Sequence, residues 1–283
     1  MASRFVVAEV PPLTLAMLRY AIGFLFLLPF ALAARRELTG AGASVGRTVA
    51  IDVVAMAALG IGQFGLLIAL LNYGLQRVGA AEAAMIFSLF PLLTLLLAAL
   101  SGRESATPGL VIGVLLSVSG VALSLMPKLA AAAAGTSSWW GEAAIAAAAC
   151  TGAICSVLYR PYLQRYPTVP VSAFAMAASV AVLGVLALSE DWPSRIGGLS
   201  MQAWAVTGFI GLSSGVGYFL WLYALKHESP TRVTVFLSLN PVTAALLGAW
   251  LLQEAVTPWL LAGLALIAIG LWLATQRPAS GQR

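Results

Sequence analysis

Apolar residues fill this chain in long, nearly unbroken stretches. They fall at about 13–34, 50–75, 83–101, 109–126, 143–159, 171–189, 203–225, 233–252 and 259–275. Each is close to the ~20 apolar residues a helix needs to cross a bilayer. Short polar or Pro/Gly-bearing joints separate them at 35–48, 77–82, 102–108, 127–141, 160–170, 190–202, 226–232 and 253–258. The pattern therefore predicts nine full spans. Ahead of Pro11-Pro12 stands only the fragment Phe5 to Val10, too short to cross. Ten-residue segments of alternating polarity, the mark of a membrane barrel, are absent from the sequence. The longest joint, 127–141, leaves no room for a large soluble domain. The first residues also lack the long apolar core and small-residue cleavage site of a signal peptide.

Composition agrees with a chain solvated by lipid. Hydrophobic residues make up 61% of the 283 positions and charged residues 9%, and the mean hydropathy is +0.96. Soluble domains run nearer half apolar and a quarter charged. That gap excludes a soluble enzyme, a disordered chain and a nucleic-acid binder together. Cys150 and Cys155 sit inside an Ala-rich apolar run and read as reduced core thiols.

The net charge of +5 is a matter of topology. Assigning alternate joints to alternate sides puts Arg35, Arg36, Arg47, Arg103, Arg160, Arg165, Lys226, Arg232, Arg277 and Arg283 on one side. The other side holds only Arg77, Lys128 and Arg195, while Arg4 and Arg19 lie within or near spans. Lys and Arg collect on cytoplasmic loops, so ten against three predicts a cytoplasmic C-terminus. Residue 10 then lies outside, and a complete first helix would bring the total to ten spans.

The chain also repeats itself. Residues 71–123 align without a gap on 221–273, with 16 of 53 positions identical. Shared leucines would mean little, but Ser88/Ser238, Pro91/Pro241, Glu104/Glu254, Thr107/Thr257, Pro108/Pro258, Gly113/Gly263 and Gly120/Gly270 all match in register. A unit of five spans is odd-numbered, so its second copy is upside down. Inverted repeats with a midplane substrate site between them are a common architecture of secondary transporters. Carried back, the same offset sets residues 1–10 against 151–160 and leaves Gly141–Cys150 unmatched. Helix one is therefore expected to lack its cytoplasmic half.

Several short motifs stand in a telling order. They are Pro-Leu-Thr-Leu-Ala-Met-Leu-Arg-Tyr at 12–20, Ser-Leu-Phe-Pro at 88–91 and Gly-Arg-Glu at 102–104. Leu-Tyr-Ala-Leu-Lys at 222–226 and Ser-Leu-Asn-Pro at 238–241, followed by Glu254, complete the set. In this order the chain resembles the ten-helix EamA-type members of the drug/metabolite transporter superfamily. The resemblance implies an all-α membrane protein with repeats at 1–126 and 141–275. It also implies export of amino acids, their metabolites or related small solutes across a bacterial inner membrane. Two departures from the family pattern are the short first helix and Leu252-Gln253-Glu254, which lacks the glycine of the first copy.

Candidate site residues follow from polarity at depth. Uncharged polar groups within a bilayer need a partner or a wet cavity. Gln63 stands at the middle of span three, Ser214, Tyr218 and Trp221 share one face of span eight at i, i+4, i+7, and Asn240 precedes Pro241. With Ser88, these are the candidate substrate contacts. The alternative for each is a hydrogen bond between helices. Pro91 and Pro241 leave the carbonyls of Phe87 and Leu237 without an N–H partner. The break either lines the substrate or is a packing kink satisfied by Ser88 or Ser238. Arg19, about seven residues into its span, needs a counter-charge. It either snorkels, pairs structurally or meets an anionic substrate group, and the structural reading is preferred. Glu82 opens span four and is the least unsuitable proton carrier, since no acid lies at mid-depth. Glu104 and Glu254 read as structural, with Thr107 and Thr257 as N-caps ahead of Pro108 and Pro258.

Enzyme chemistry finds little support. Gly211-Leu-Ser213-Ser-Gly215 matches G-x-S-x-G, but the single histidine, His227, lies about 21 Å further along the same helix. Gly211 and Gly215 read instead as a small-residue packing face. No GxxxxGK[ST] loop is present for ATP hydrolysis. The pattern thus predicts a secondary-active transporter with no catalytic residue, metal or cofactor. Its partners are a small-molecule substrate, the lipid bilayer and a coupling proton, not nucleic acid, and it works as a monomer or homodimer. The alternatives are an intramembrane enzyme or a channel.

Overall fold

A computed structural model describes residues 10–40, 47–102, 107–126, 139–235, 237 and 257–276. Every regular element among them is helical. The helices are α1 (Pro12–Gly40), α2 (Arg47–Gly60), α3 (Leu67–Leu75), α4 (Ala80–Phe87), α5 (Phe90–Leu100) and α6 (Pro108–Ser124). They continue as α7 (Trp140–Arg165), α8 (Thr168–Leu186), α9 (Trp192–Arg195), α10 (Met201–His227), α11 (Pro230–Val235) and α12 (Pro258–Thr275).

Six described segments are long and apolar enough to cross a membrane: Pro12–Ala34, Ile51–Leu75, Glu82–Leu100, Trp140–Arg165, Thr168–Glu190 and Met201–His227. Val111–Ser124 and Pro258–Ala274 are shorter apolar helices. The expected span 233–252 lies almost wholly outside the described residues. Val54, Leu100 and Phe209 are 68%, 76% and 69% exposed. Large apolar side chains on the outside of a helical protein suit lipid as solvent.

Two of the predicted spans are interrupted. Between α2 and α3 the residues Ile61–Leu66 form a π-helix, in which the Leu67 N–H reaches back five residues to the Gly62 carbonyl. Three glycines, Gly60, Gly62 and Gly65, make the α-ladder easy to widen there. Between α4 and α5 the chain turns at Ser88-Leu89, and Pro91 enters the first turn of α5. Proline cannot donate to the Phe87 carbonyl, so the ladder must break.

The chain forms two compact units. The first unit comprises Met1–Asn72 and Leu158–Glu228. Within it α1 packs against α8 and α10. Gly211 and Gly215 face α1: a Cβ on Gly211 would lie 2.7 Å from the Ile22 Cβ, and one on Gly215 would lie 2.9 Å from the Gly23 Cα. The packing face read from the G-x-x-x-G spacing is therefore real. Helix contacts in lipid gain nothing from the hydrophobic effect, so close backbone approach must supply the attraction.

The N-terminus of α1 is capped across the unit. The Glu190 carboxylate accepts from the backbone N–H of Leu13 at 3.0 Å and Thr14 at 2.7 Å, and from the Thr14 hydroxyl at 2.8 Å. Pro12, first in the helix, has no N–H to satisfy. A carboxylate also complements the positive end of the helix dipole.

The second unit comprises Tyr73–Val157 and Ser229–Arg283. Its centre is an antiparallel pair, α6 and α12. Gly113 meets Gly270 and Gly120 meets Gly263, each so closely that a Cβ would overlap the opposing carbonyl oxygen. Between them the Ser117 hydroxyl donates to the Ile267 carbonyl at 3.5 Å. These contacts cross over in the repeat register: 113 and 263 are counterparts, as are 120 and 270, and 117 meets its own counterpart 267. Thr257 caps α12, its hydroxyl accepting from the Leu260 N–H at 3.2 Å. Gly102, at φ +68°, closes α5 in the left-handed conformation that glycine adopts without strain. Its N–H donates to the Ala99 carbonyl.

The α6–α12 contact yields a direct test. Gly113→Ala should destabilise the detergent-solubilised protein by about 1–3 kcal/mol, since the opposing atom is backbone and cannot swing away. Gly208→Ala, where a Cβ meets nothing within 4 Å, should leave the thermal midpoint unchanged or raise it.

Candidate functional site

The expected contacts divide between the two units. Gln63, Ser214, Tyr218, Trp221 and Arg19 belong to the first unit, and Glu82, Ser88 and Pro91 to the second. Asn240 and Pro241 lie outside the described residues, as do Ser238, Glu104 and Glu254.

In the first unit the structure gathers aromatic rings around Phe64. The π-helix carries Phe64 inward, where it is 6% exposed. Its ring meets Tyr218 of α10 edge-on at 4.0 Å and Tyr20 of α1 at 4.6 Å. Tilted and edge-to-face pairs at such separations add attraction beyond area burial. Three helical segments thus converge on one row of rings, Tyr20–Phe64–Tyr218.

Polar groups border this row. The Arg19 guanidinium lies 4.5 Å from the Tyr20 ring centroid, and its Nη2 donates to the Tyr20 hydroxyl. The Arg19 Nε is buried without a hydrogen-bond partner among the described residues. The Gln63 Oε1, on the residue next to Phe64, is likewise buried without a partner there. Ser214 and Trp221 are half-buried and Tyr218 is buried, so the i, i+4, i+7 face of α10 turns partly inward.

The π-helix is held by α8. A Cβ on Gly60 would lie 2.6 Å from the Ala175 carbonyl oxygen. The Ser179 hydroxyl stands within hydrogen-bond reach of two carbonyls, Gly60 at 2.7 Å and Ala175 at 2.8 Å. A side chain inserted at a widened turn is a usual cause of a ladder break, and π-helical turns are frequent at functional sites. Periodicity counting misses this feature because the run stays apolar throughout. One signal was nevertheless present: Gly60, Gly62 and Gly65 cluster within six residues.

In the second unit the Ser88 hydroxyl donates to the Met85 carbonyl at 2.5 Å, not to that of Phe87. The serine is 2% exposed, and its lone pairs remain as acceptors. Glu82 lies half-buried in the first turn of α4. Among the described residues no cluster of His, Cys, Asp and Glu could hold a metal ion.

A polar cluster that the sequence left unremarked sits at the start of α8. The Tyr166 hydroxyl donates to Asp52 Oδ2 at 2.9 Å, and Arg165 Nη1 stands 3.4 Å from the same oxygen. Lys226 at the end of α10 donates to the Tyr166 carbonyl at 3.5 Å. Burial, and after it the hydrogen bond and charge of Asp52, hold the Tyr166 phenol above the usual tyrosine range. At neutral pH it is therefore a fixed donor to Asp52.

These features define a helical, multi-pass membrane protein with a small polar and aromatic interior site. The chain belongs to the EamA-like transporter family, whose model matches residues 1–126 and 139–276. It is 28% identical over 98% of its length, and 93% of the relative's, to an uncharacterized transporter of Archaeoglobus fulgidus. It is 29% identical over 76% of its length, and 70% of the relative's, to a probable terminal-alkyne amino-acid exporter of Streptantibioticus cattleyicolor. A solved crystal structure 24% identical in sequence matches 96% of this chain and 91% of its own, with a TM-score of 0.65. That likeness shows the fold. Membership of the family makes this a transporter, acting on a small molecule across a lipid bilayer.

Loss of the central ring should be costly. Phe64→Ala is expected to lower stability by about 3–5 kcal/mol, the usual range for a buried aromatic. Phe209→Ala, at a 69% exposed position, should change it by less than about 0.5 kcal/mol. Thermal unfolding in detergent reads both.

Proposed function

We propose that the protein exports amino acids or small amino-acid-derived metabolites by alternating access, driven by the proton gradient of a bacterial inner membrane. The observation that carries this reading is the row Tyr20–Phe64–Tyr218, with the buried amide oxygen of Gln63 on the residue preceding Phe64. Gln63 is the middle residue of the apolar segment Ile51–Leu75. Amide and hydroxyl groups next to aromatic faces accommodate both ends of a zwitterion and an apolar side chain. The name of the Streptantibioticus relative supports amino-acid export.

In this reading ten helices form two inverted five-helix repeats, residues 1–126 and 141–275, with the C-terminus in the cytoplasm. The crossed glycine contacts of α6 and α12 support it, because reciprocal pairing of counterparts is what a two-fold axis produces. Gln63, Ser88, Ser214, Tyr218, Trp221 and Asn240 contact the substrate. Glu82, Pro91 and Pro241 serve structure or coupling.

Cells overproducing the chain should survive toxic amino-acid analogues that arrest control cells. Everted vesicles should accumulate the protective compound, and an uncoupler should abolish the accumulation. Protection confined to phosphorylated or polycationic compounds would overturn the substrate class. Uptake that persists with the uncoupler would remove proton coupling. A C-terminal alkaline phosphatase fusion should be inactive, as a cytoplasmic terminus requires.

A further inference from the structure

We propose that Arg19 is the receptor for the substrate's carboxylate, so that the transported molecule itself supplies the counter-charge that this arginine lacks among the described residues. The inference deepens the amino-acid reading and rests on the same site.

Arg19 stands at the eighth position of α1, about 10 Å from the start of the helix at 1.5 Å per residue. A guanidinium remains charged in any protein environment. A charge within a membrane segment is costly unless it is paired or hydrated. A side chain that snorkelled to the interface would leave the buried rings behind. Here the guanidinium lies against Tyr20, itself 4% exposed and packed on Phe64. It is therefore drawn into the unit. The ion pair of Arg165 with Asp52 lies elsewhere, and among the described residues no carboxylate comes within pairing distance of Arg19. One N–H is used by the Tyr20 hydroxyl. The Nε is buried and unpartnered among the described residues.

A guanidinium offers five N–H groups in a rigid fork that matches a carboxylate through two parallel bonds. Here Tyr20 fixes one arm of the fork and leaves Nε available. The residue before Phe64 in the π-helix, Gln63, has a buried Oε1 acceptor without a partner among the described residues. It suits an ammonium, and the faces of Phe64 and Tyr218 suit an apolar side chain or the cation itself. The chemistry selects an α-amino acid with a free carboxylate. Carboxamides and esters, which cannot pair with the charge, are discriminated against.

The test uses the full chain in detergent, with binding followed by thermal shift. The probes are L-phenylalanine, L-leucine and L-valine, their carboxamides, and the deaminated acids phenylpropionate and 4-methylpentanoate. At least one amino acid should bind at least about tenfold more tightly than its carboxamide. Arg19→Gln should erase that preference, and Arg19→Lys should restore part of it, since a point charge replaces the fork. The ligand-free Arg19→Gln variant should melt no lower than the parent, because removing an uncompensated charge relieves its cost. An arginine held only for structure would instead leave the variant less stable and its acid preference intact. Equal binding of acid and carboxamide by the parent, or an unchanged preference in Arg19→Gln, would overturn the proposal while leaving amino-acid export standing. Binding of the deaminated acids alone, lost in Arg19→Gln, would support the carboxylate receptor and refute the amino-acid reading. Binding of none of the acids would overturn the carboxylate receptor.

Discussion

In lipid, a helix backbone has no water to bond and no hydrophobic force pulling it toward its neighbour. Helices must then hold together through contact area and shape, and contact is greatest where backbones touch. The structure meets that constraint with glycine. Gly23 faces Gly215, Gly60 faces Ala175, Gly113 faces Gly270 and Gly120 faces Gly263. Several buried hydroxyls bond within their own helices, as Ser172 does to the Thr168 carbonyl and Thr94 to that of Phe90, whereas Ser117 and Ser179 reach across to a neighbour. The former are satisfied before any packing occurs, so they add little direction to it. The glycine contacts set the geometry.

Against that background the two interruptions stand out, because each loosens a ladder that lipid demands be closed. At Ser88-Leu89 the Ser88 hydroxyl turns back within α4 to the Met85 carbonyl and does not serve that of Phe87. At Ile61–Leu66 the break is supported from another helix, by Ser179 on Gly60. The second arrangement rotates two successive side chains, Gln63 and Phe64, relative to an unbroken helix. The π-helix therefore carries both Phe64 of the aromatic row and the buried amide oxygen of Gln63. In the same unit α10 runs uninterrupted through Gly211 and Gly215.

Much of the fold was legible because its determinants are local. Apolar length marks the spans, Thr257-Pro258 marks a helix start, and G-x-x-x-G marks a packing face. Each reads within about one to six turns of helix. The features that were not legible depend on residues distant in sequence. Glu190 caps a helix that begins 178 positions earlier, at Pro12, and Asp52 meets Tyr166 across 114 positions. A lone acid at a span end gives no hint of its partner. Of the candidate site, Gln63 and Tyr218 stand out in the sequence by polarity at depth, whereas Phe64 is invisible among other apolar residues. Asn240 and Pro241 fall outside the described residues.

The first unit is fastened differently at its ends and in its middle, and this bears on how a transporter can move. Near one end of α8, Glu190 grips backbone N–H groups of α1; at the other, Asp52 takes Tyr166 and Arg165. Both are charge-assisted contacts that hold direction as well as distance. Between them lie rings and glycines, together with the Ser179 hydroxyl on the Gly60 carbonyl. Displacement of α1 within the unit would break the Glu190 contacts, and displacement of α2 would break those of Asp52 and Ser179. Rigid motion of the unit as a whole preserves both. The placement of polar contacts at the helix ends therefore favours the unit moving as one body, with the aromatic row carried intact inside it.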